Sequence, residues 1–167
     1  PLFIDTQSKE SWPKAIADPS IPLIITEGAK KAMVGTAAGT HTISISGVAC
    51  WATNGELHEL LKLFAVKGRT IYLAFDMDLF TNGGALSALT RLGRALEKEG
   101  VIVKVMLWDK AHKGLDDYLL HAGLDSITPL IRDALPLGEW WDKVSDPLLR
   151  DYARIEEELG SRLRYNE

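Results

Sequence analysis

The chain has 167 residues, 46% of them hydrophobic and 25% charged, the composition of a packed domain and too apolar for intrinsic disorder. A chain of this length buries roughly two-thirds of its unfolded surface without staples, and Cys50, the lone cysteine, excludes an intrachain disulfide framework and any Cys-based zinc site. With 19 basic against 23 acidic residues the net charge is −4, which argues against a sequence-independent DNA coat.

No run of about 18 apolar residues is present to span a membrane, and no secretory pattern opens the chain. A reducing, cytoplasmic setting is expected. The first residue is Pro1 rather than Met, as in a piece of a longer protein.

Residues 1–20 carry Trp12, Pro13 and Pro19 without clear periodicity and are expected to wrap the edge of the core. Ile21 to Thr26 is a short apolar strand, with Pro22 tolerable near its start. After Glu27-Gly28, the Ala- and Lys-rich stretch Ala29 to Ala38 predicts a helix. His41 to Ser46 alternates polar and apolar, a period-two strand. Gly47 to Gly55 reads as a loop holding Trp51, and Leu57, Leu60, Leu61 and Phe64 then fall at helical spacing.

Thr70 to Phe75 is the clearest strand and ends at Asp76-Met77-Asp78. A turn at Thr81 to Gly84 precedes a helix from Ala85 to Glu99, with Leu86, Leu89, Leu92 and Leu96 on one face and Gly100 as its stop. Val101 to Trp108 is a further apolar strand. The polar stretch Lys110 to Asp117 is followed by short helices around Tyr118 to His121 and Ile127 to Leu135. Beyond Pro136, a stripe of Leu149, Tyr152, Ile155, Leu159 and Leu163 predicts an amphipathic terminal helix.

Continuous apolar strands separated by helices of ten to fifteen residues are the pattern of a parallel sheet covered on both faces. The expected fold is α/β and doubly wound, a mainly parallel four-stranded sheet flanked by helices. An edge segment (1–20) precedes the core (21–136), and a helical extension (137–167) follows it.

Acidic groups stand just beyond three strands: Glu27, the pair Asp76 and Asp78, and Asp116-Asp117. A parallel sheet gathers strand C-termini on one rim, where α/β proteins build their sites. Carboxylates that converge there repel unless protonated or bridged by a cation. Mg²⁺ is the usual bridge, since it takes hard oxygen ligands and keeps waters for substrate phosphates. Taken singly, each acid reads equally well as a helix cap or turn former.

The four histidines show no metal-ligand spacing, and neither Ser44, Ser46 nor Cys50 has a His partner for nucleophilic catalysis. No Walker A motif is present. Trp51 reads as an anchor of its own loop or a stacking surface for a base, and Trp140 and Trp141 as packing residues or an interface.

Leu23-Ile24-Ile25-Thr26-Glu27-Gly28, followed by Lys31-Ala32, together with Leu73-Ala74-Phe75-Asp76-Met77-Asp78, resembles the TOPRIM domain. That domain is shared by bacterial primases, topoisomerases, OLD-type nucleases and small RNA-maturation nucleases. The likeness runs from Ile21 to Leu120. Within the group the chain is most similar to a TOPRIM-like domain of uncharacterised function, found in replication proteins of plasmids, phages and other mobile elements, often near helicase modules. It shares Glu27-Gly28-x-Lys30-Lys31-Ala32, Gly47-Val48-x-x-Trp51 and Lys113-Gly114-Leu115-Asp116-Asp117-Tyr118. Lys31 stands where the primase form usually carries an acidic residue.

The resemblance implies that Asp76 and Asp78 hold Mg²⁺, with Mn²⁺ as a substitute. Glu27 would be a general acid/base or a further ligand, and Asp116 or Asp117 would complete the metal shell. Gly28 would let the backbone approach a phosphate at a helix N-terminus, with Lys30, Lys31, Lys110 and Lys113 as further phosphate contacts. The implied activity is primase-type nucleotidyl transfer on a single-stranded DNA template with nucleotides, beside helicase or other replication domains. Nuclease chemistry is the close alternative. A non-catalytic docking module and, less favoured, a phospho-acceptor receiver domain are the other readings.

Overall fold

The computed structural model describes residues 2–4, 11–47, 50–53, 55–144 and 155. Four strands form the centre of a single sheet: β2 (Leu23–Glu27), β3 (Thr42–Ile45), β6 (Thr70–Ala74) and β7 (Ile102–Val105). They lie in the order β3-β2-β6-β7 and are all parallel. Leu23, Ile24 and Ile25 of β2 are buried, as are Ile71 to Ala74 of β6. A strand covered on both faces has no position left for a solvated side chain, hence the unbroken apolar runs.

The sheet has six strands, not the four expected. Residues 2–4 form β1 (Leu2–Ile4), which pairs antiparallel with β3, and β8 (Leu135–Pro136) pairs antiparallel with β7. Both additions are edges. Three residues show no period, and Pro136 can sit only where one side of the ladder needs no donor. The segment expected to wrap the core edge thus supplies an edge strand. The stretch Gly47 to Gly55, read as a loop, contains β4 (Ala52–Thr53), which pairs with β5 (Glu56–Leu57) in a small hairpin that takes Leu57 out of the expected helix. Helix α3 (Glu59–Lys62) follows, one turn long, with Leu61 buried and Leu60 exposed.

Helix α2 (Ala29–Ala37) connects β2 to β3, and α4 (Gly83–Lys98) connects β6 to β7. The first connection steps one way along the sheet and the second the other. Right-handed crossovers therefore place the two helices on opposite faces, and the reversal falls between β2 and β6. α5 (Leu115–Ala122) packs beside α2. On the other face, Leu137 of α7 (Leu137–Val144) fills the space a Cβ on Gly93 of α4 would need, 2.6 Å from its Cδ2. α6 (Ile127–Arg132) leads into β8. Asn82 starts α4 by accepting a bond from the Ala85 amide (3.2 Å), and Gly100, at φ +85°, ends it. Trp140 is fully buried, so this part of the expected extension belongs to the core. Of the terminal stripe only Ile155 is described, and it is exposed. The other four lie outside the described residues.

The polar face of β3 is buried as well: Thr42 and Ser44 are almost inaccessible. α2 packs closely on Thr42 because Gly35 has no side chain. A Cβ there would sit 2.5 Å from Thr42 Oγ1 and 2.9 Å from its Cβ. Gly35→Ala is therefore expected to destabilise the protein by about 1–2 kcal/mol, the overpacking cost less the helix propensity alanine gains. A denaturant midpoint that rises would show that α2 can lift from the sheet freely.

Helix α1 (Ser11–Ala17) packs at the opposite end of the strands from the acidic rim, with Trp12 edge-on to His41, which precedes β3, and to Phe64. Arg69, completely buried just before β6, donates to the carbonyls of Ala15 and Ile16 of α1, and of Ile21.

Candidate functional site

Each acidic residue at the rim is placed by a local constraint. Thr26, buried, donates its hydroxyl to the Ala74 carbonyl (2.8 Å), clamping β2 to β6 one residue before Glu27 and two before Asp76. The chain turns out of β2 at Gly28, where φ is +82°, a conformation glycine adopts without cost. The Gly28 amide donates to the Ile45 carbonyl (3.0 Å), so an anion at this helix start would meet the following amides instead. Beyond β6, Asp76 precedes a 3₁₀ turn, Met77–Phe80, that carries Asp78. The Met77 amide donates to the Lys113 carbonyl (2.8 Å), which ties the loop after β7 to the loop after β6.

Glu27, Asp76 and Asp78 thus share one rim, at the reversal point between β2 and β6, together with Lys31 and Lys113. Lys31 Nζ lies 3.0 Å from Asp76 Oδ1. That contact is an ion pair off the hydrogen-bond direction, and this buried oxygen accepts no hydrogen bond among the described residues. Lys113 Nζ lies 3.1 Å from Asp78 Oδ2 and 3.9 Å from Asp76 Oδ2. Alongside, Lys30 Nζ reaches Asp116 Oδ2 at 2.9 Å.

The electrostatics follow from the crowding. Burial, and then the negative charge of Asp76, push the Glu27 carboxyl from near 4.5 up to about 7, with Lys31 opposing and Asp78 adding. A carboxyl poised there can hold or release a proton near neutrality. Burial also pushes Asp116 up, but its bond to Lys30 and the charges of Lys30 and Lys31 prevail and leave it below the ordinary range. Lys113 is raised, first by its bond to Asp78, and Lys30 by its bond to Asp116.

Of the other candidates, Asp117 is exposed in the first turn of α5, and its charge acts on Lys30. Lys110 is exposed three residues before Lys113. Lys30, Lys31 and Lys113, read from sequence as phosphate contacts, are each paired with a carboxylate of the rim. One residue was missed. The backbone at Gly114 passes so close that a Cβ would lie 2.5 Å from Asp116 Oδ1, 2.6 Å from Lys31 Cε and 3.6 Å from Asp76 Oδ1. The run Lys113-Gly114-Leu115-Asp116 was the signal, since glycine beside clustered charges marks close backbone approach. Trp51 is buried with the Arg91 guanidinium 5.6 Å from its ring centre, an anchor of its own loop.

The donor chemistry suits a hard divalent cation. Asp76 and Asp78 already share one positive centre, the Lys113 ammonium, and the other Asp76 oxygen faces a second, that of Lys31. Among the described residues no three His, Cys, Asp or Glu side chains stand as a ready cage. One or two carboxylates completed by water are what Mg²⁺ commonly takes.

This α/β arrangement is primase-like. The DnaG primase catalytic domain bound to ssDNA superposes with a TM-score of 0.59 at 16% identity, over 84% of this chain and 40% of that one. At that identity the likeness is one of fold. The family model described as "Domain of unknown function (DUF3854)" matches residues 11–126, and the chain belongs to that family. An uncharacterized protein of Picosynechococcus sp. is 32% identical over 154 residues, covering 81% of this chain and 15% of the relative, so the chain spans a small part of that protein's length. No helix among the described residues is long and apolar enough to cross a membrane.

Proposed function

We propose that this domain is a Mg²⁺-dependent TOPRIM unit acting on nucleic-acid phosphodiesters, with primase-type nucleotidyl transfer in mobile-element DNA replication as its leading activity. The observation that carries the reading is that Glu27, Asp76 and Asp78 stand on one rim, with Glu27 within electrostatic reach of both aspartates, at the point where the sheet's winding reverses, the place where open α/β sheets bind ligands. The primase-like fold supports it.

Asp76 and Asp78 would hold Mg²⁺ or Mn²⁺, which supplies positive charge against the phosphate when bound. Glu27, poised near neutrality, takes the proton of the attacking hydroxyl or returns one to the leaving oxygen. Asp116 keeps Lys30 over the start of α2, where backbone amides and the ammonium together favour an anion. Single-stranded DNA and nucleotides are the substrates in this reading, and helicase or other replication domains of a longer cytoplasmic protein its neighbours. Nuclease action would use the same rim.

The test is incubation with Mg²⁺ or Mn²⁺, a single-stranded template and nucleotides, scoring both synthesis and cleavage. A product that needs the divalent ion and disappears in Asp78→Asn is expected. No product of either kind, or one that the substitution leaves intact, ends the enzymatic reading.

A second reading has its own support. With Lys31 paired to Asp76 and Lys113 across Asp76 and Asp78, the carboxylates are already neutralised by ammonium groups, as in a docking module that keeps the fold without the chemistry. A titration that finds no Mn²⁺ site on the rim would select it.

A further inference from the structure

Two ammonium groups meet the Asp76 and Asp78 carboxylates, and they are held very differently. The Lys31 side chain is only 19% exposed, and its Cε fits against the bare backbone of Gly114, where even a Cβ would clash. It pairs with the buried Oδ1 of Asp76 and has little room to leave. The Lys113 side chain is 64% exposed and reaches the outward oxygens, Oδ2 of Asp76 and Oδ2 of Asp78. The ammonium lies between these carboxylates from alternate residues, 3.1 Å from the Asp78 oxygen and 3.9 Å from the Asp76 oxygen.

We propose that Lys113 is the displaceable cation of this site, competing with a divalent metal for Asp76 and Asp78 and swinging outward, toward the substrate's phosphate, when the metal enters. The inference rests on the metal-dependent reading above and adds a regulation of metal entry.

An exposed ion pair is weak and screened by solvent, so little opposes its exchange for a doubly charged ion at the same carboxylates. The Lys113 backbone stays fixed through its carbonyl's bond to the Met77 amide, so the freed side chain remains at the rim. A lysine suits the part, being a compact charge on a flexible four-carbon stem. Lys31, the less exposed of the two, pairs with Oδ1 of Asp76, so Asp76 would hold a metal through the carboxylate edge that Lys113 now covers. The site then binds metal more weakly than its carboxylates alone would, because the ion must displace an ammonium that already neutralises part of their charge.

Mn²⁺ binding to the full chain, followed by electron paramagnetic resonance without substrate, tests this in wild type, Lys113→Gln, Lys113→Arg and Asp78→Asn. Removing the competing charge is expected to tighten Mn²⁺ binding about fivefold in Lys113→Gln. Lys113→Arg, which keeps a cation there, should stay within about twofold of wild type, and Asp78→Asn should lose the site. In wild type, Mn²⁺ should also speed labelling of the Lys113 amine by an acylating reagent, read by mass spectrometry. Mn²⁺ binding that needs Asp78 but ignores the charge at 113 overturns the competition and leaves the metal-dependent reading standing. No Mn²⁺ binding in any form overturns both.

Discussion

Replacing Glu27 with Gln is expected to make the protein more stable above about pH 7 while lowering the proposed metal-dependent activity. Burial and the neighbouring Asp76 raise this carboxyl from near 4.5 to about 7. Between those values the folded chain holds more protons than the unfolded one, so stability falls as pH rises through the interval. The cost is absent below about pH 4.5 and complete above about 7. An amide of the same shape carries no charge to desolvate or repel. Allowing for the solvent that reaches the carboxyl, the gain should be about 1–2 kcal/mol on the alkaline side and close to nil in acid. Urea titrations at both ends of the range, in EDTA so that no divalent ion restores the carboxylate, measure the difference. In the same variant, metal-dependent synthesis or cleavage should fall by about 10²- to 10⁴-fold, the range for losing a general acid or base. Opposite signs on stability and activity mark a group held at a cost for its chemistry. A variant that is less stable at every pH would make Glu27 a structural residue instead.

How much of this was legible in sequence depended on whether one segment or several had to be read together. The four central strands were visible because burial on both faces leaves an unbroken apolar run. β1 and β8 were not, because two or three residues at an edge carry no period and Pro136 speaks against a strand. The sharing of one rim by Glu27, Asp76 and Asp78 could be foreseen, since parallel strands end together. The choice between Asp116 and Asp117 could not be made before α5 was placed. Leu115 and Leu119 face the core, Asp116 flanks them toward α2 and Lys30, and Asp117, about 100° further round the helix, meets solvent. The lysines were the least legible. Exposed lysines are ordinarily solvated, and nothing local separates Lys110 from Lys113. The bond between the Met77 amide and the Lys113 carbonyl, which joins the two loops, holds Lys113 beside Asp76 and Asp78.

At the other end of the strands, Arg69→Met is expected to cost about 3 kcal/mol, since buried acceptors would lose their donor. The Arg69 guanidinium is inaccessible and serves carbonyls at the C-terminal end of α1 and at Ile21, with the charge of Asp18 nearby. Helices end with carbonyls that have no partner of their own, and here one planar cation satisfies them from beneath the sheet. Methionine fills much of the volume but donates nothing, leaving the buried Ala15 carbonyl and the partly buried ones of Ile16 and Ile21 without their donor. For a chain of this size the loss corresponds to a melting point lower by about 6–12 °C. Because α1 and the acidic rim occupy opposite ends of the strands, Mn²⁺ affinity per folded molecule should be unchanged at temperatures where the variant is folded. A small thermal effect would mean that water reaches these carbonyls already, and a parallel loss of metal affinity would mean that the two ends of the sheet are mechanically coupled. The predicted separation follows from the β2–β6 clamp at Thr26 and Ala74, which fixes Glu27 and Asp76 from within the sheet rather than from the helix below it.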